Sequence, residues 1–201
     1  RAMVTVYCRD MGGTPKEYLS LTKTGGPTGV PFGPIWDLNP DFFDTSYNYS
    51  TLEANGALGC VVTKWQKVRF DPATLRILTD DFTFSTTASL CGADAIPIVY
   101  GTANGCDGAY VTAYANVYLE GTPFRVNDTF GLGGSGSRRG FAAPPDAPGH
   151  PGFGPNYSPV VSGQDVDLGG GGGCGGIHPA NPLFLQLAYH GAPLDLLGPQ
   201  G

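Results

Sequence analysis

The sequence predicts a mainly β fold: a single-domain antiparallel sandwich or partly open barrel, with long loops and disulfide stabilisation. Three observations carry this. Short runs of alternating β-branched and aromatic residues recur along the chain at loose spacing. No stretch long enough for a typical helix shows more than a weak helical period. Gly and Pro are abundant, at 32 and 18, while charged residues make up 14%. Disordered chains show the opposite balance, with high charge and few aromatics. A length of 201 residues suffices for one well-buried core. No internal repeat is visible.

The elements follow in order. Residues 3–8, MVTVYC, alternate as a strand does. RDMGGTP is a turn cluster, and KEYLSL is a second strand with Tyr18 on one face and Leu19 and Leu21 on the other. Residues 24–59 are irregular and hold Phe32, Trp36, Phe42, Phe43, Tyr47 and Tyr49. Such a loop folds back over a core edge, because that much ring surface is costly to leave wet. The competing reading makes Trp36, Phe42, Phe43, Tyr47 and Tyr49 a stacking platform for sugars or a partner surface. Trp65, within a strand, reads as core. VVTKWQKVRFDPATLRIL, residues 61–78, is a hairpin: Asp71 and Pro72 suit the first two positions of a type I turn. FTFSTT is a strand, and 96–106 and 109–126 supply two or three more around a Gly121-Thr122-Pro123 turn. Residues 133–159 are low-complexity Gly, Pro, Ala and Ser, expected as a mobile surface insert. LFLQLAY, residues 183–189, alternates as a terminal strand.

Charge and cysteines limit the partners. The net charge is −6, and the 11 Lys and Arg do not cluster along the sequence beyond Arg138-Arg139. A duplex binder needs a basic face, so nucleic acid is not an expected partner. No apolar run is long enough to span a membrane. The chain begins at Arg1 without a signal peptide; on a secreted reading the signal is already removed or lies upstream. Cys8, Cys60, Cys91, Cys106 and Cys174 form no C-x-x-C pair, against a zinc ribbon or thioredoxin-like site. Five is odd, so at least one thiol lacks a partner within the chain, and with two bonds every choice of the odd one leaves three pairings open. Sequons stand at Asn48, Asn127 and Asn156. With the scattered cysteines they point to an oxidising, extracellular setting and a glycoprotein.

Candidate chemistry is sparse. Asp37, Asn39 and Asp41 alternate oxygen ligands in a loop, which suits calcium. Pro40 and Phe42 break the usual loop, with neither a turn glycine nor a twelfth-position Glu, so a solvated acidic loop competes. No other cofactor is expected. Asp80 and Asp81 with Asp10 or Glu17 are the candidate carboxylate pair of a glycosidase, against a plain turn role. Cys174 and His178 are the close Cys/His pair, against a structural cysteine.

Four motifs occur in order: TVYCRDMGGTPKEYLSL, WQKVRFDPATLRILTDDFTF, GTPFRV and DLGGGGGCGG. Together they resemble the GON domain, a C-terminal module of ADAMTS-type secreted metalloproteases that also occurs in secreted microbial proteins. The resemblance runs from Thr5 to Tyr189. It implies a non-catalytic extracellular module; no H-E-x-x-H is present. The chain departs from the family in its longer, simpler 133–159 insert and its fewer cysteines than the animal members; the cysteine that short microbial members carry some 20 residues upstream of the VYC strand is not in this sequence, so either the chain begins just inside the domain or that bond is dispensable. Cys106 and Cys174 match the family's shared cysteines, which implies a Cys106–Cys174 bond. Cys60–Cys91 is then the remaining pair. Cys8 is left for an external partner, or as a buried thiol. LGGGGGCGGI, residues 168–177, then reads as an ordered hinge whose glycines take positive φ beside Cys174 and bring LFLQLAY to the sheet. A second likeness, VYCRDMGG to the opening of fibrinogen-like lectin domains, covers eight residues and lacks their Trp-rich continuation.

The functional expectation is a secreted or cell-surface, non-catalytic module for adhesion, recognition or assembly, binding an extracellular protein or glycan, itself, or neighbouring domains. The alternative is a structural subunit of an extracellular matrix, filament or appendage. A secreted hydrolase ranks third.

Overall fold

The computed structural model describes residues 6–24, 47–54, 57–105, 113–133, 141–143, 160–170 and 175–191. They hold fifteen strands and no helix: β1 (Val6–Arg9), β2 (Lys16–Ser20), β3 (Tyr49–Ala54), β4 (Ala57–Trp65), β5 (Lys67–Asp71), β6 (Arg76–Leu78), β7 (Ser85–Ser89), β8 (Ala103–Gly105), β9 (Ala113–Tyr118), β10 (Phe124–Gly133), β11 (Phe141–Ala143), β12 (Val160–Gly163), β13 (Asp165–Gly170), β14 (Gly175–Pro179) and β15 (Phe184–Tyr189). They form a single sheet in the order β1-β2-β5-β6-β15-β10-β14-β8-β3-β9-β13-β11, with β12, β4 and β7 branching from it. The sheet is not closed into a barrel: no ladder joins β1 to β11 among the described residues. Every ladder is antiparallel except β3 with β8.

β10 joins the two halves. Its first residues, Phe124 to Val126, pair with β15, and its last, Phe130 to Gly133, pair with β14. The halves share one core. Leu19, Trp65, Val68, Phe70, Ile77 and Leu185 pack in the same cluster as Tyr100, Val117, Val166, Leu168 and Ile177. Trp65 is fully buried, as a strand Trp should be. β9 is buried along its whole length.

The Asp71 hairpin forms between β5 and β6, with Asp71 opposite Arg76. Asp71 accepts from the Ala73 N–H at 2.9 Å and the Thr74 hydroxyl at 2.6 Å, fixing the turn, and Leu75 takes φ 55°. Three segments differ in detail from the sequence reading. Strand β7 begins at Ser85, so Phe82 and Phe84 belong to the preceding turn. Their rings pack instead of pairing: Phe82 lies against Trp65, with centroids 5.5 Å apart. Within the 133–159 insert, Gly133 ends β10 and residues 141–143 pair with β13 as β11.

The glycine run is the third. Leu168, Gly169 and Gly170 close β13, and Gly175, Gly176 and Ile177 open β14, so its ends lie in the sheet itself. Among the described residues, positive φ occurs at glycines outside the run. At Gly176 the need for glycine is close approach. A Cβ on Gly176 would strike the Asn104 side chain and stand 2.6 Å from the Ala103 carbonyl oxygen.

Cys60 and Cys91 are joined, their Cα atoms 5.4 Å apart, tying β4 to the segment after β7. Cys8 is an exposed free thiol, which replaces the buried-thiol reading. Cys106 and Cys174 lie outside the described residues.

Candidate interaction surface

The register of β1, β2, β5, β6, β15 and β10 sorts side chains onto two faces. Leu19, Val68, Phe70, Ile77, Leu185 and Leu187 point to the core. The opposite face is built row by row. Tyr7 stands opposite Tyr18, which stands opposite Arg69; Arg9 faces Lys16, and Ser20 faces Lys67. Further along, Asp71 faces Arg76, Arg76 faces Gln186, and Ala188 faces Arg125. Strand alternation therefore brings Arg9, Lys16, Lys67, Arg69, Arg76 and Arg125 to one face, six of the chain's 11 Lys and Arg.

Aromatic rings interleave with these cations. The turn before β7 lays Phe84 onto the face, anchored by the Gln66 N–H donating to the Phe84 carbonyl at 3.0 Å. Phe84 meets Tyr18 and Tyr7 edge-on, at centroid distances of 4.8 and 5.4 Å. Lys67 lies 5.2 Å from the Phe84 centroid and 5.4 Å from that of Tyr7, and Arg9 lies 5.9 Å from Phe84. Arg69 stands over Tyr18 at 5.6 Å, and Arg76 over Phe184 at 4.0 Å. Each such contact is attractive because the ring face carries partial negative charge. Tyr7 remains 45% exposed.

The neighbouring carboxylates are engaged. Glu17 pairs with Arg69 at 3.0 Å. Asp81 accepts from the Tyr18 hydroxyl at 3.0 Å and the Thr83 N–H at 3.0 Å. Burial alone would raise the Asp81 carboxyl; hydrogen bonds from Thr83 and Tyr18 and the charge of Lys16 outweigh it and hold it below the usual range. Burial pushes the Tyr18 phenol up. Asp10 stands 3.8 Å from Arg9. Lys16, Lys67, Arg76 and Arg125 form no ion pair among the described residues.

The expected sites fare differently. Tyr49 is buried at 2% exposure with Val62 and Tyr114, and Tyr47 packs on the same cluster. Its ring fills core, which removes Tyr49 from the partner surface. Trp36, Phe42 and Phe43 lie outside the described residues, as do Asp37, Asn39 and Asp41. No cluster of His, Cys, Asp and Glu suited to a metal occurs among the described residues. His178 Nδ1 donates to the Pro179 carbonyl at 2.7 Å. Asn48 is fully buried and its amide is saturated. Nδ2 donates to the carbonyls of Lys23 and Tyr118 at 2.9 and 3.0 Å, while Oδ1 accepts from the Tyr118 N–H and Tyr100 hydroxyl at 2.9 and 2.5 Å. A glycan on Nδ2 has no room, so Asn48 is a structural hub and not an acceptor. Asn127 is exposed on β10, and Asn156 lies outside the described residues.

Sequence reasoning missed the cationic face because its members stand far apart in the chain. A local trace existed in K-V-R-F, where cations occupy every second position of β5. The pairing of β5 with β2 supplied the rest.

A GON domain family model matches residues 1–139, about two thirds of the chain. The chain belongs to the GON domain family. The GON domain is a non-catalytic, extracellular module type, and the Cys60–Cys91 bond fits that setting. The GON match takes in β1 through β10 and thus all six cations of the face. Strands β14 and β15 lie beyond it, yet add Ile177, Leu185 and Leu187 to the same core. No curated protein and no solved structure matches this chain. No helix among the described residues is long and apolar enough to cross a membrane.

Proposed function

We propose that this GON-family chain is a secreted, non-catalytic recognition module that binds an extracellular glycan or protein on the outer face of β1, β2 and β5. The carrying observation is the cluster of Tyr7, Phe84, Arg9 and Lys67, in which exposed ring surface converges with Lys67, which has no ion pair among the described residues, and with Arg9, held only by an exposed contact to Asp10 at 3.8 Å. Aromatic and Arg side chains of this kind dominate binding energy where they are buried by a partner. Secretion is supported by the family, the disulfide and the exposed Asn127 sequon. An array of extracellular glycans and proteins tests the reading, probed with wild type and with the Tyr7→Ala/Lys67→Ala double variant. Binding that the variant loses supports it; binding that the variant keeps contradicts it.

One observation favours the assembly alternative. Cys8 is exposed on β1, which ends the sheet and pairs only with β2 among the described residues. An open edge accepts a strand from a second copy, and a thiol there locks the pair. Reductant-sensitive dimers on size exclusion that Cys8→Ser abolishes are the expected sign. A clean monomer at high concentration under oxidising conditions contradicts it.

The Cys106–Cys174 bond remains part of this proposal. Its support is that Gly105, before Cys106, and Gly175, after Cys174, are register partners between β8 and β14. Non-reducing peptide mapping should recover the two cysteines in one linked peptide.

A further inference from the structure

We infer that the ligand of the outer face is a linear anionic polysaccharide carrying sulfate groups. The inference rests on reading that face as the recognition surface.

Charge selects an anion. The whole chain carries −6, yet six cations share this face. The carboxylates that face them from each packed element are already held. Glu17 is paired to Arg69, Asp71 accepts from Ala73 and Thr74 within its own turn, and Asp81 accepts from Tyr18 and Thr83. Asp10 touches Arg9 at 3.8 Å, a loose exposed contact that a better-placed anion displaces. Lys16, Lys67, Arg76 and Arg125 are left without an ion pair among the described residues, and Arg125 Nε is buried without an acceptor there. Arginine matches sulfate and carboxylate oxygens through two parallel hydrogen bonds, and lysine adds a point charge.

Ring geometry selects a sugar. Arg9 and Lys67 both lie against Phe84, which places their charges within about 11 Å of each other. The exposed Tyr7 ring sits beside them. A flat ring flanked by cations takes the CH face of a pyranose while the anionic substituents on either side reach Arg9 and Lys67. Arg76 over Phe184 repeats the combination further along the sheet.

Extent selects a chain. From β1 to β10 the face crosses β2, β5, β6 and β15. At strand spacings of about 4.8 Å the cations are spread over roughly 24 Å, long enough for several sugars in line. An acidic polypeptide would satisfy the cations and leave the rings without a matched partner. A duplex would need a denser basic face.

Binding is measured on immobilised heparin, on chemically desulfated heparin and on a neutral polysaccharide, with soluble polyglutamate and duplex DNA as competitors. The account expects retention on heparin that falls steeply with salt and drops at least fivefold on the desulfated resin. The Arg9→Ala/Lys67→Ala variant should lower the salt slope by roughly one per cation removed. Tyr7→Ala should weaken binding about threefold or more without changing the slope. Arg138→Ala/Arg139→Ala should change neither. A second charge pair, Lys16→Ala/Arg76→Ala, guards against misfolding of the first, and circular dichroism checks each variant. Equal displacement by polyglutamate or DNA, equal binding to desulfated resin, or dependence on Arg138 and Arg139 overturns the inference. Binding of the neutral polysaccharide at Tyr7 instead overturns the anionic ligand and leaves the recognition surface standing. Failure to bind any of the three resins, while array ligands still require Tyr7 and Lys67, has the same consequence.

Discussion

Asn48 shows how one side chain can hold a loop, two strands and a tyrosine together. It uses both donors and both acceptors of its amide, in a site without water access. Removing it leaves the Tyr118 N–H and the Tyr100 hydroxyl without this acceptor, at about 1–3 kcal/mol for each orphaned group. Asn48→Ala should therefore lower stability by roughly 2–4 kcal/mol in urea unfolding. Peptide mapping of the protein expressed behind a secretion signal should find Asn48 unmodified. None of this was legible from the N-Y-S triplet, because a sequon records only local spelling. Its burial depends on Lys23, Tyr100 and Tyr118, up to 70 residues away. Trp65 was legible, because an apolar ring of that size in an alternating strand has few alternatives to the core.

Among elements, β14 illustrates glycine selected by contact. The β8–β14 ladder brings Gly176 against Ala103 and Asn104 more closely than any side chain permits. Gly176→Ala should cost roughly 2–3 kcal/mol, read as a lower unfolding midpoint. Asn104→Ala should not rescue it, since the Ala103 carbonyl still blocks the Cβ at 2.6 Å. That the end of the run joins the sheet could be inferred from the strand that follows it, but the reason for Gly176 could not, since that needs the partner strand. The Asp71 hairpin was legible whole, since its turn chemistry is local. Cys60–Cys91 closes a loop with a separation of 31, and reduction should cost about 3–4 kcal/mol if chain entropy governs. Denaturation with and without reductant, compared with Cys60→Ala/Cys91→Ala, measures it.

At the scale of the molecule, mainly β class followed from alternation, while the folding of one sheet about β10 did not. That depends on β10 pairing with β15 and β14 along different parts of its length. A consequence is a core holding several phenols. Burial and the Asp165 charge raise Tyr100, burial raises Tyr114, and a hydrogen bond to Glu120 with burial pushes Tyr118 up to about 12. Folded tyrosines then keep protons that the unfolded chain loses near pH 10. Between those values the folded state binds more protons, so stability is full below about pH 10 and declines as pH rises beyond it. Unfolding midpoints across alkaline pH should show that decline, and Tyr118→Phe should make it shallower.

The same assembly of distant segments produces the cationic, aromatic outer face proposed for recognition. Amide chemical-shift mapping of the isotope-labelled protein, titrated with a sulfated oligosaccharide, tests that role. Saturable shifts are expected at Tyr7, Arg9, Lys16, Lys67 and Phe84 and should vanish in the Arg9→Glu/Lys67→Glu variant. Saturable shifts confined to β4, β7 or β13, with β1, β2 and β5 silent, would contradict it.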